Sequence, residues 1–301
     1  MFSVTALSKR QICPMHPCQV DPTYYREHYP DLKALTDEQL LAHFHTLGKH
    51  EGRVGTRFAL RENQSDLLNG ASEALEIGPS LFPMIKGPGV KYFDLLSQEE
   101  LRAARGYAIA DLEPPYIDFV SPTGDLSIVT GTYDAVVSSH CIEHQPDLVQ
   151  HLKDVGRLLK PGGKYVLYMP DKRYCFDHFI AESSLADVMQ AHVEQRKVHT
   201  LASIVEHLAL ATHNDKERHW SGDHEDPGYR SGVAARAQNA VRQFVEANGA
   251  YIDVHAWQFT PDSFHFVVDR LAEMGLSPLK VDQVYCTTRN QSEFGAVLAR
   301  A

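Results

Sequence analysis

The sequence lacks a basic tract and lacks any long apolar run. Its 301 residues include 29 Lys and Arg against 39 Asp and Glu, a net charge of −10. Because neutralised phosphates supply much of the affinity for nucleic acids, this balance argues against a nucleic-acid partner. No stretch approaches the roughly 18 apolar residues of a membrane helix, and the first residues have no apolar core typical of a signal peptide. We therefore expect a cytoplasmic protein without membrane insertion.

Cysteine is also scarce. The five cysteines, at positions 13, 18, 141, 175 and 286, are odd in number and widely separated. This pattern argues against a disulfide framework and predicts free thiols in a reducing compartment. The segment Cys13-Pro-Met-His16-Pro-Cys18 offers two thiols and one imidazole to a metal but has no convincing fourth ligand. We expect a flexible leader there.

Residues 20–55 form a segment of their own. Asp21-Pro22 begins a short helix, and Thr36 with Gln39 caps a second helix that carries an apolar stripe. The pattern D-x-x-Y-Y-x-x-x-Y-P-D-L followed by H-F-x-x-x-G-x-x-E-G-R resembles a small helical module of glycosyltransferases and other bacterial surface-polysaccharide proteins. We assign residues 1–57 to this leader and module. The resemblance implies polysaccharide-assembly proteins as partners, and a plain packing appendage remains the alternative.

A glycine-rich nucleotide loop is present only in part. The runs ALEIGPSLFP at 74–83 and VKYFDLL at 90–96 predict two parallel strands whose carboxyl ends face one ligand. Gly78 permits the turn after the first strand, and Asp94 at the end of the second offers two acceptor oxygens to a ribose diol. Ser80 and Phe82 stand where a complete G-x-G-x-G loop has its second and third glycines.

With its other motifs the chain resembles class I S-adenosylmethionine-dependent methyltransferases of the type 11 group. The resemblance covers residues 66–171 and 255–299, through EIGP at 76–79, TYDAVVSSHCIEH at 132–144, LLKPGG at 158–163 and FTPDSF at 259–264. It implies an α/β fold for residues 58–301, a Rossmann-like seven-stranded sheet closed by an antiparallel β-hairpin. It also implies S-adenosylmethionine as cofactor. The predicted cofactor-binding residues are Glu76, Gly78, Pro79, Ser80, Asp94, Asp125, Leu126 and Ser139.

Residues 172–256 interrupt the family pattern with a segment rich in His, Asp and aromatics. We predict helices at 183–195, 200–212 and 232–247, with a polar loop at 214–230 between the last two. The resemblance implies that such an insert, between strands five and six, forms a cap over the acceptor. Because the segment is polar and rich in histidine, it favours a hydroxylated acceptor over an apolar one.

The catalytic candidates follow strand four. If a helix begins near His140, then His140, Glu143 and His144 share one face at i, i+3 and i+4, a spacing that can bind a divalent metal such as Mg, Mn or Zn. The stretch resembles the E-x-x-E-H metal motif of some O-methyltransferases, with His140 in place of the first Glu. His144 as a metal-free base and a structural role remain alternatives. Asp171 and His178 are further acceptor contacts, unless they belong to a solvated loop.

We predict a methyltransferase that O-methylates a sugar or another surface-polysaccharide intermediate. Two alternatives remain open, an O-methyltransferase of a quinone or secondary metabolite and an inactive cofactor-binding adaptor. The sequence leaves the acceptor, the methylated atom and the oligomeric state undetermined. Of the insert histidines at 199, 207, 219 and 224, any one can complete a metal site.

Overall fold

A seven-stranded sheet forms the centre of the structure. The structure is a computed structural model and describes residues 18–104 and 113–300. The strands are β1 Ala74–Ile77, β2 Val90–Asp94, β3 Phe119–Val120, β4 Tyr133–Ser139, β5 Leu159–Pro170, β6 Leu279–Tyr285 and β7 Glu293–Arg300. Their order is β3-β2-β1-β4-β5-β7-β6, and β7 is antiparallel to both of its neighbours. The predicted α/β sheet with a closing hairpin is confirmed. Ile77 pairs with Phe93 on one side and Ser138 on the other, so β1, β2 and β4 end together.

Helices α3 Gln98–Ala104, α4 Leu148–Leu158 and α9 Pro261–Glu273 belong to the sheet domain. The α4 helix begins where the Asp147 carboxylate accepts the Gln150 N–H at 2.9 Å, and it buries Leu148, Leu152 and Val155. The α9 helix begins at Thr260, whose side chain and that of Ser263 cap each other's backbone. Both helices bury one apolar face.

The insert consists of α5 Leu185–Val193, α6 Leu201–Leu210, α7 Lys216–Ser221 and α8 Tyr229–Ala247. The polar loop predicted at 214–230 is wrong in part, because α7 lies within it. Asp215 caps α7 by accepting two backbone N–H groups, and Gly222 ends it in a left-handed conformation. These local signals outweigh the missing apolar stripe. None of the described helices, α8 with its 19 residues included, is long and apolar enough to cross a membrane.

The amino-terminal segment contains α1 Pro22–His28 and α2 Asp37–His43, with Asp21 and Thr36 as the caps. Its buried residues Tyr25, Leu40 and Phe44 join the main core of the sheet domain. Two backbone hydrogen bonds attach the segment to the closing hairpin, from Gln19 N to Val284 O and from Arg289 N to Gly52 O. The segment therefore packs against the sheet domain.

A disulfide joins Cys18 to Cys286, with a Cα–Cα distance of 5.4 Å. The expectation of reduced, unpaired cysteines is wrong for this pair. The cysteines therefore no longer support a reducing compartment. The two residues are 268 positions apart, so their spacing gives no signal of the contact. Cys141 and Cys175 are free thiols. The rest of the leader, with Cys13 and His16, lies outside the described residues.

The chain after β4 does not continue directly into a helix. His140 has a φ of +50°, and a single 3-10 turn, Ile142–His144, precedes α4. The predicted helical i, i+3, i+4 face is therefore wrong as local geometry, since His140 lies before the turn in a left-handed conformation. The residues nevertheless converge, since His140 Nδ1 and His144 Nε2 lie 3.6 Å and 3.9 Å from Glu143 Oε1.

Candidate active site

A cavity of about 230 Å³ opens where β1, β2 and β4 end. One side, the strand-end half, is lined by Ile77, Gly78, Ser80, Phe93, Asp94, Leu95, Pro122, Thr123, Gly124 and Leu126. The other side, the histidine half, is lined by His140, Cys141, His144, Gln145, Pro146, His151, Tyr251 and Asp253. A cavity at the carboxyl ends of parallel strands is the expected ligand site of an open α/β sheet.

The loop after β1 is shaped by Gly78 and Ser80. Gly78 has a φ of +71°, and a Cβ placed there would lie 3.6 Å from the Cys141 side chain. Ser80 has a φ of +47°, uncommon for a residue with a side chain, and its N–H donates to Asp94 Oδ2 at 3.1 Å. Ser80 therefore adopts the backbone conformation that a second glycine of a nucleotide loop would adopt, and Asp94 stabilises it.

The Asp94 carboxylate ends β2 and is only 8% exposed. Its two oxygens accept one backbone N–H each, from Ser80 at 3.1 Å and from Leu96 at 3.3 Å. Burial raises the pKa of Asp94, although these backbone donors oppose the shift. An ionised carboxylate offers about four acceptor sites, so roughly two remain for a ligand.

Glu76 holds the loop and is not among the residues that line the cavity. Its buried carboxylate accepts the N–H groups of Met84 at 2.8 Å and Ile85 at 3.1 Å. Burial raises the pKa of Glu76 to about 7. The predicted cofactor residue Glu76 thus fixes the path of the loop that contains Pro79, which also does not line the cavity.

Asp125 and Ser139 also lie outside the cavity lining. The exposed Asp125 side chain accepts the Ser127 N–H at 2.8 Å and caps the 3-10 turn Leu126–Ile128. Its neighbours Gly124 and Leu126 line the cavity instead. Ser139 Oγ accepts a hydrogen bond from Arg61 Nη2 at 2.8 Å. Both side chains therefore have a structural partner in place of a position in the cavity wall.

His140 lies between two carboxylates. Its Nε2 is 2.7 Å from Glu293 Oε2, and its Nδ1 is 3.6 Å from Glu143 Oε1. Burial alone would lower the pKa of His140, but the neighbouring carboxylates of Glu143 and Glu293 outweigh it and raise the pKa to about 9. His140 is therefore an imidazolium at neutral pH and cannot accept a proton there.

Glu143 is fully buried, and both of its carboxylate oxygens lack a hydrogen-bond partner among the described residues. Its Oε1 lies 3.6 Å from His140 Nδ1 and 3.9 Å from His144 Nε2. Burial would raise the pKa of Glu143, but the surrounding imidazoles hold it below its usual value. A buried, unbonded carboxylate is costly, so its retention beside two histidines points to a functional site.

His144 is paired with Asp253, a residue that the sequence reasoning missed. Asp253 Oδ1 lies 2.9 Å from His144 Nδ1 and accepts the Tyr251 hydroxyl at 3.0 Å. Burial opposes protonation of His144, but Asp253 and Glu143 outweigh it and raise its pKa. The adjacent His144 imidazole lowers the pKa of Asp253 to about 2. The pair is an imidazole and a carboxylate in close contact in the cavity wall.

His255 is a second residue that the sequence reasoning missed. This buried imidazole has its Nδ1 2.6 Å from Asp177 Oδ2, and its ring meets that of His144 edge-on at 4.7 Å between centroids. One ligand atom each from Glu143, His144 and His255 lies within 4.8 Å of the others. The cluster able to hold a metal therefore contains His255 where the sequence predicts His140.

Asp171 and His178 are not among the residues lining the cavity. Asp171 is fully buried and accepts hydrogen bonds from Arg173 Nη2 and Thr287 Oγ1, both at 2.6 Å. His178 Nδ1 donates to Arg173 O at 2.8 Å. Of the insert histidines, His199 is buried and His207 is half-buried. Burial lowers the pKa of each to about 4.

Comparison with known proteins agrees with this architecture. Residues 95–167 match a family model described as a methyltransferase domain. No curated protein matches the sequence.

Several solved structures are similar at low identity. Mitomycin 7-O-methyltransferase MmcR is 14% identical over 82% of this chain and 55% of its own, with a TM-score of 0.38. The CcbJ methyltransferase from Streptomyces caelestis is 13% identical over 80% of this chain and 94% of its own, with a TM-score of 0.40. An S-adenosylmethionine-dependent methyltransferase from Clostridium acetobutylicum is 8% identical over 88% of this chain and 98% of its own, also with a TM-score of 0.40. This chain thus spans about half of MmcR and nearly all of the other two.

The sequence match lies where the structure has β3, β4, α4 and most of β5. Around it, the sheet order ends in an antiparallel β7, and the cavity opens at the carboxyl ends of the parallel strands. The matched methyltransferase domain therefore lies within a seven-stranded α/β sheet whose β7 is antiparallel.

Proposed function

We propose that the enzyme methylates a hydroxyl group of a small polar acceptor, with His144 as the base that removes the hydroxyl proton. The observation that carries the proposal is the 2.9 Å pair of His144 Nδ1 and Asp253 Oδ1 in the cavity wall. The negative charge of a carboxylate near Nδ1 favours the tautomer with its proton on that nitrogen, which leaves the Nε2 lone pair to accept another. S-adenosylmethionine supplies a methyl group on a sulfonium, so the protein chiefly positions the acceptor and removes one proton.

Glu143 supports this role from the opposite side of the ring. Its Oε1 lies 3.9 Å from His144 Nε2, so the imidazolium formed by proton transfer has a carboxylate near each nitrogen. His140 does not compete for the proton, because its pKa of about 9 keeps it protonated at neutral pH. We assign His140 and Glu143 to positioning and charge balance rather than to proton transfer.

The donor belongs in the strand-end half of the cavity. In our proposal Asp94 accepts the ribose hydroxyls with its remaining acceptor sites, and Leu126 packs against the adenine face. The chain fits this ligand because Gly78 leaves the loop free of a side chain, with Cys141 as the nearest neighbour at 3.6 Å. Ser80 contributes backbone at the same position.

The acceptor is, in our proposal, a sugar or another intermediate of surface-polysaccharide assembly. Two features support it: the polar side chains of Tyr251, Asp253 and His140 in the histidine half, and the amino-terminal resemblance to surface-polysaccharide proteins. Transfer of tritium from methyl-labelled S-adenosylmethionine to a panel of nucleotide-activated sugars, compared with a panel of catechols, tests this choice. Labelling of catechols alone would contradict a sugar acceptor and leave the O-methyltransferase proposal standing.

A metal-assisted reaction is a second candidate, favoured by the two unbonded, buried oxygens of Glu143. Glu143, His144 and His255 would hold a divalent ion, and Asp177 at 2.6 Å from Nδ1 would orient His255. Such an ion lowers the pKa of a bound hydroxyl. Activity that falls with a chelator and returns with Mg, Mn or Zn would favour this candidate. Full activity in chelator, with a single-proton pH profile, would reject it and support His144 as the base.

A further inference from the structure

Three histidines meet at a second place, outside the cavity lining. His178 follows β5, His219 lies in α7, and His224 follows α7. One ligand atom from each lies within 4.8 Å of the others. The His178 ring stacks on the His224 ring at 3.7 Å between centroids, and His219 is only 2% exposed. The cluster joins the segment after β5 to the middle of the insert.

Backbone carbonyl groups fix the tautomers of two of these rings. His178 Nδ1 lies 2.8 Å from Arg173 O, and His219 Nε2 lies 3.0 Å from His213 O. A carbonyl oxygen only accepts, so both nitrogens carry a proton. The opposite nitrogens, Nε2 of His178 and Nδ1 of His219, then carry the lone pairs. Histidines that bind metals are oriented by this kind of partner on the second nitrogen.

The third ring brings a nitrogen to the same place. His224 Nδ1 lies 3.0 Å from His219 Nδ1. Two nitrogens at about 2.0–2.1 Å from one tetrahedral zinc ion are separated by about 3.3 Å, close to this distance.

The neighbouring His213 has no nitrogen left for an ion. Its Nδ1 accepts the Asp215 N–H at 3.2 Å, and its Nε2 donates to Asp223 O at 3.1 Å. Its ring stacks on His219 at 4.3 Å between centroids. His213 is therefore a natural control, an imidazole in contact with the cluster but outside the ligand set.

We propose that His178, His219 and His224 bind a divalent transition-metal ion of the zinc class, with the fourth position open to water. Three imidazoles suit Zn, Co, Ni or Cu rather than Mg or Ca, which prefer oxygen ligands. The residue before His178 is Asp177, whose Oδ2 lies 2.6 Å from Nδ1 of the buried His255. The ion would brace the segment that positions His255, and it is independent of the proton transfer assigned to His144.

Cobalt titration of the full chain tests the site. The protein is stripped with a chelator, Co²⁺ is added, and the visible ligand-field absorption of a four-coordinate ion is followed, with zinc content measured in parallel. All proteins carry His255→Asn, so that the Glu143 cluster does not contribute. We expect one equivalent of Co²⁺, displaced by Zn²⁺. His224→Asn should weaken cobalt binding about 100-fold or more, since loss of a mere orienting partner already costs about 10–100-fold.

Two further variants complete the test. His178→Gln should weaken binding as His224→Asn does, and it covers the case in which one variant fails to fold. His213→Gln should leave cobalt affinity unchanged. S-adenosylhomocysteine binding verifies that each protein is folded. Absence of stoichiometric cobalt binding, or binding that is equal in the His224→Asn and His213→Gln proteins, would overturn the proposal and leave His219 and His224 as a hydrogen-bonded imidazole pair.

Discussion

The two halves of the cavity differ in how the chain builds them. The strand-end half depends on the ends of β1 and β2, where Gly78, Ser80 and Asp94 are close in sequence. The Gly78 N–H donates to Phe93 O at 2.8 Å, and the Ser80 N–H donates to Asp94 Oδ2 at 3.1 Å. The histidine half joins residues after β4 to Tyr251 and Asp253, which follow α8. Its contacts are between charged or titratable side chains. The comparison separates binding, assigned to the first half, from proton transfer, assigned to the second.

Substitution of His144 should have the largest effect. His144→Asn removes the proposed base, and we expect turnover to fall about 10²–10⁴-fold, the range for loss of general-base catalysis. Affinity for S-adenosylhomocysteine should stay unchanged, because His144 lies in the other half of the cavity. The control His265→Asn removes an imidazole paired with Asp269 on α9 and should retain activity. A parallel loss of turnover and nucleoside affinity would break the division between the halves.

Substitution of Asp94 should lower the affinity for the nucleoside rather than the turnover. Asp94→Ala removes a charged acceptor, worth about 1.5–3 kcal/mol, so S-adenosylhomocysteine affinity should fall about 10–150-fold by calorimetry. Asp125→Ala is the matched control, since this carboxylate is exposed and caps a turn. Equal losses in the two variants would restore Asp125 as a nucleoside contact. Unchanged affinity in both variants would show that the donor does not bind at this edge of the sheet.

Substitution of Asp253 should shift the pH profile more than the maximal rate. Asp253 favours the protonated form of His144 and raises its pKa, so Asp253→Ala should lower that pKa. The acid limb of the kcat/KM profile should then move to lower pH, with a smaller loss of rate than in His144→Asn. An unshifted limb would mean that another group limits the reaction.

Loss of the disulfide should affect stability alone. Cys18→Ser should lower the free energy of unfolding by about 2–4 kcal/mol in denaturant titrations, because the bond closes a long loop in the unfolded chain. Nucleoside affinity should not change, as neither Cys18 nor Cys286 lines the cavity. A reductant should destabilise the wild type and leave Cys18→Ser unaffected. Equal responses of both proteins would show that the disulfide does not contribute.

The strand-end half was largely predictable from the sequence. An apolar run that ends in Gly78 and another that ends in Asp94 place both residues at one sheet edge, because parallel strands end together. Glu76 was predicted as a cofactor contact, but a strand-end acid can face either the ligand or its own loop. In the structure the Glu76 carboxylate accepts the N–H groups of Met84 and Ile85, so it faces its own loop.

The histidine half was predictable only on the β4 side. His140, Glu143 and His144 are close in sequence, so their convergence was predictable, although the predicted helix is a single 3-10 turn in the structure. Asp253 and His255 lie more than a hundred residues away, and the packing of the insert brings them to His144. For the same reason, the sequence did not predict the Cys18–Cys286 bond. Contacts between distant segments depend on tertiary packing and have no local pattern.

A crystal structure of the protein soaked with S-adenosylhomocysteine tests the central claim most directly. We predict the ribose on the Asp94 carboxylate, the adenine against Leu126 and the sulfur facing His144 across the cavity. This arrangement would place a transferable methyl group between the two halves. Density for the nucleoside away from Asp94, or a sulfur directed away from His144, would contradict the account.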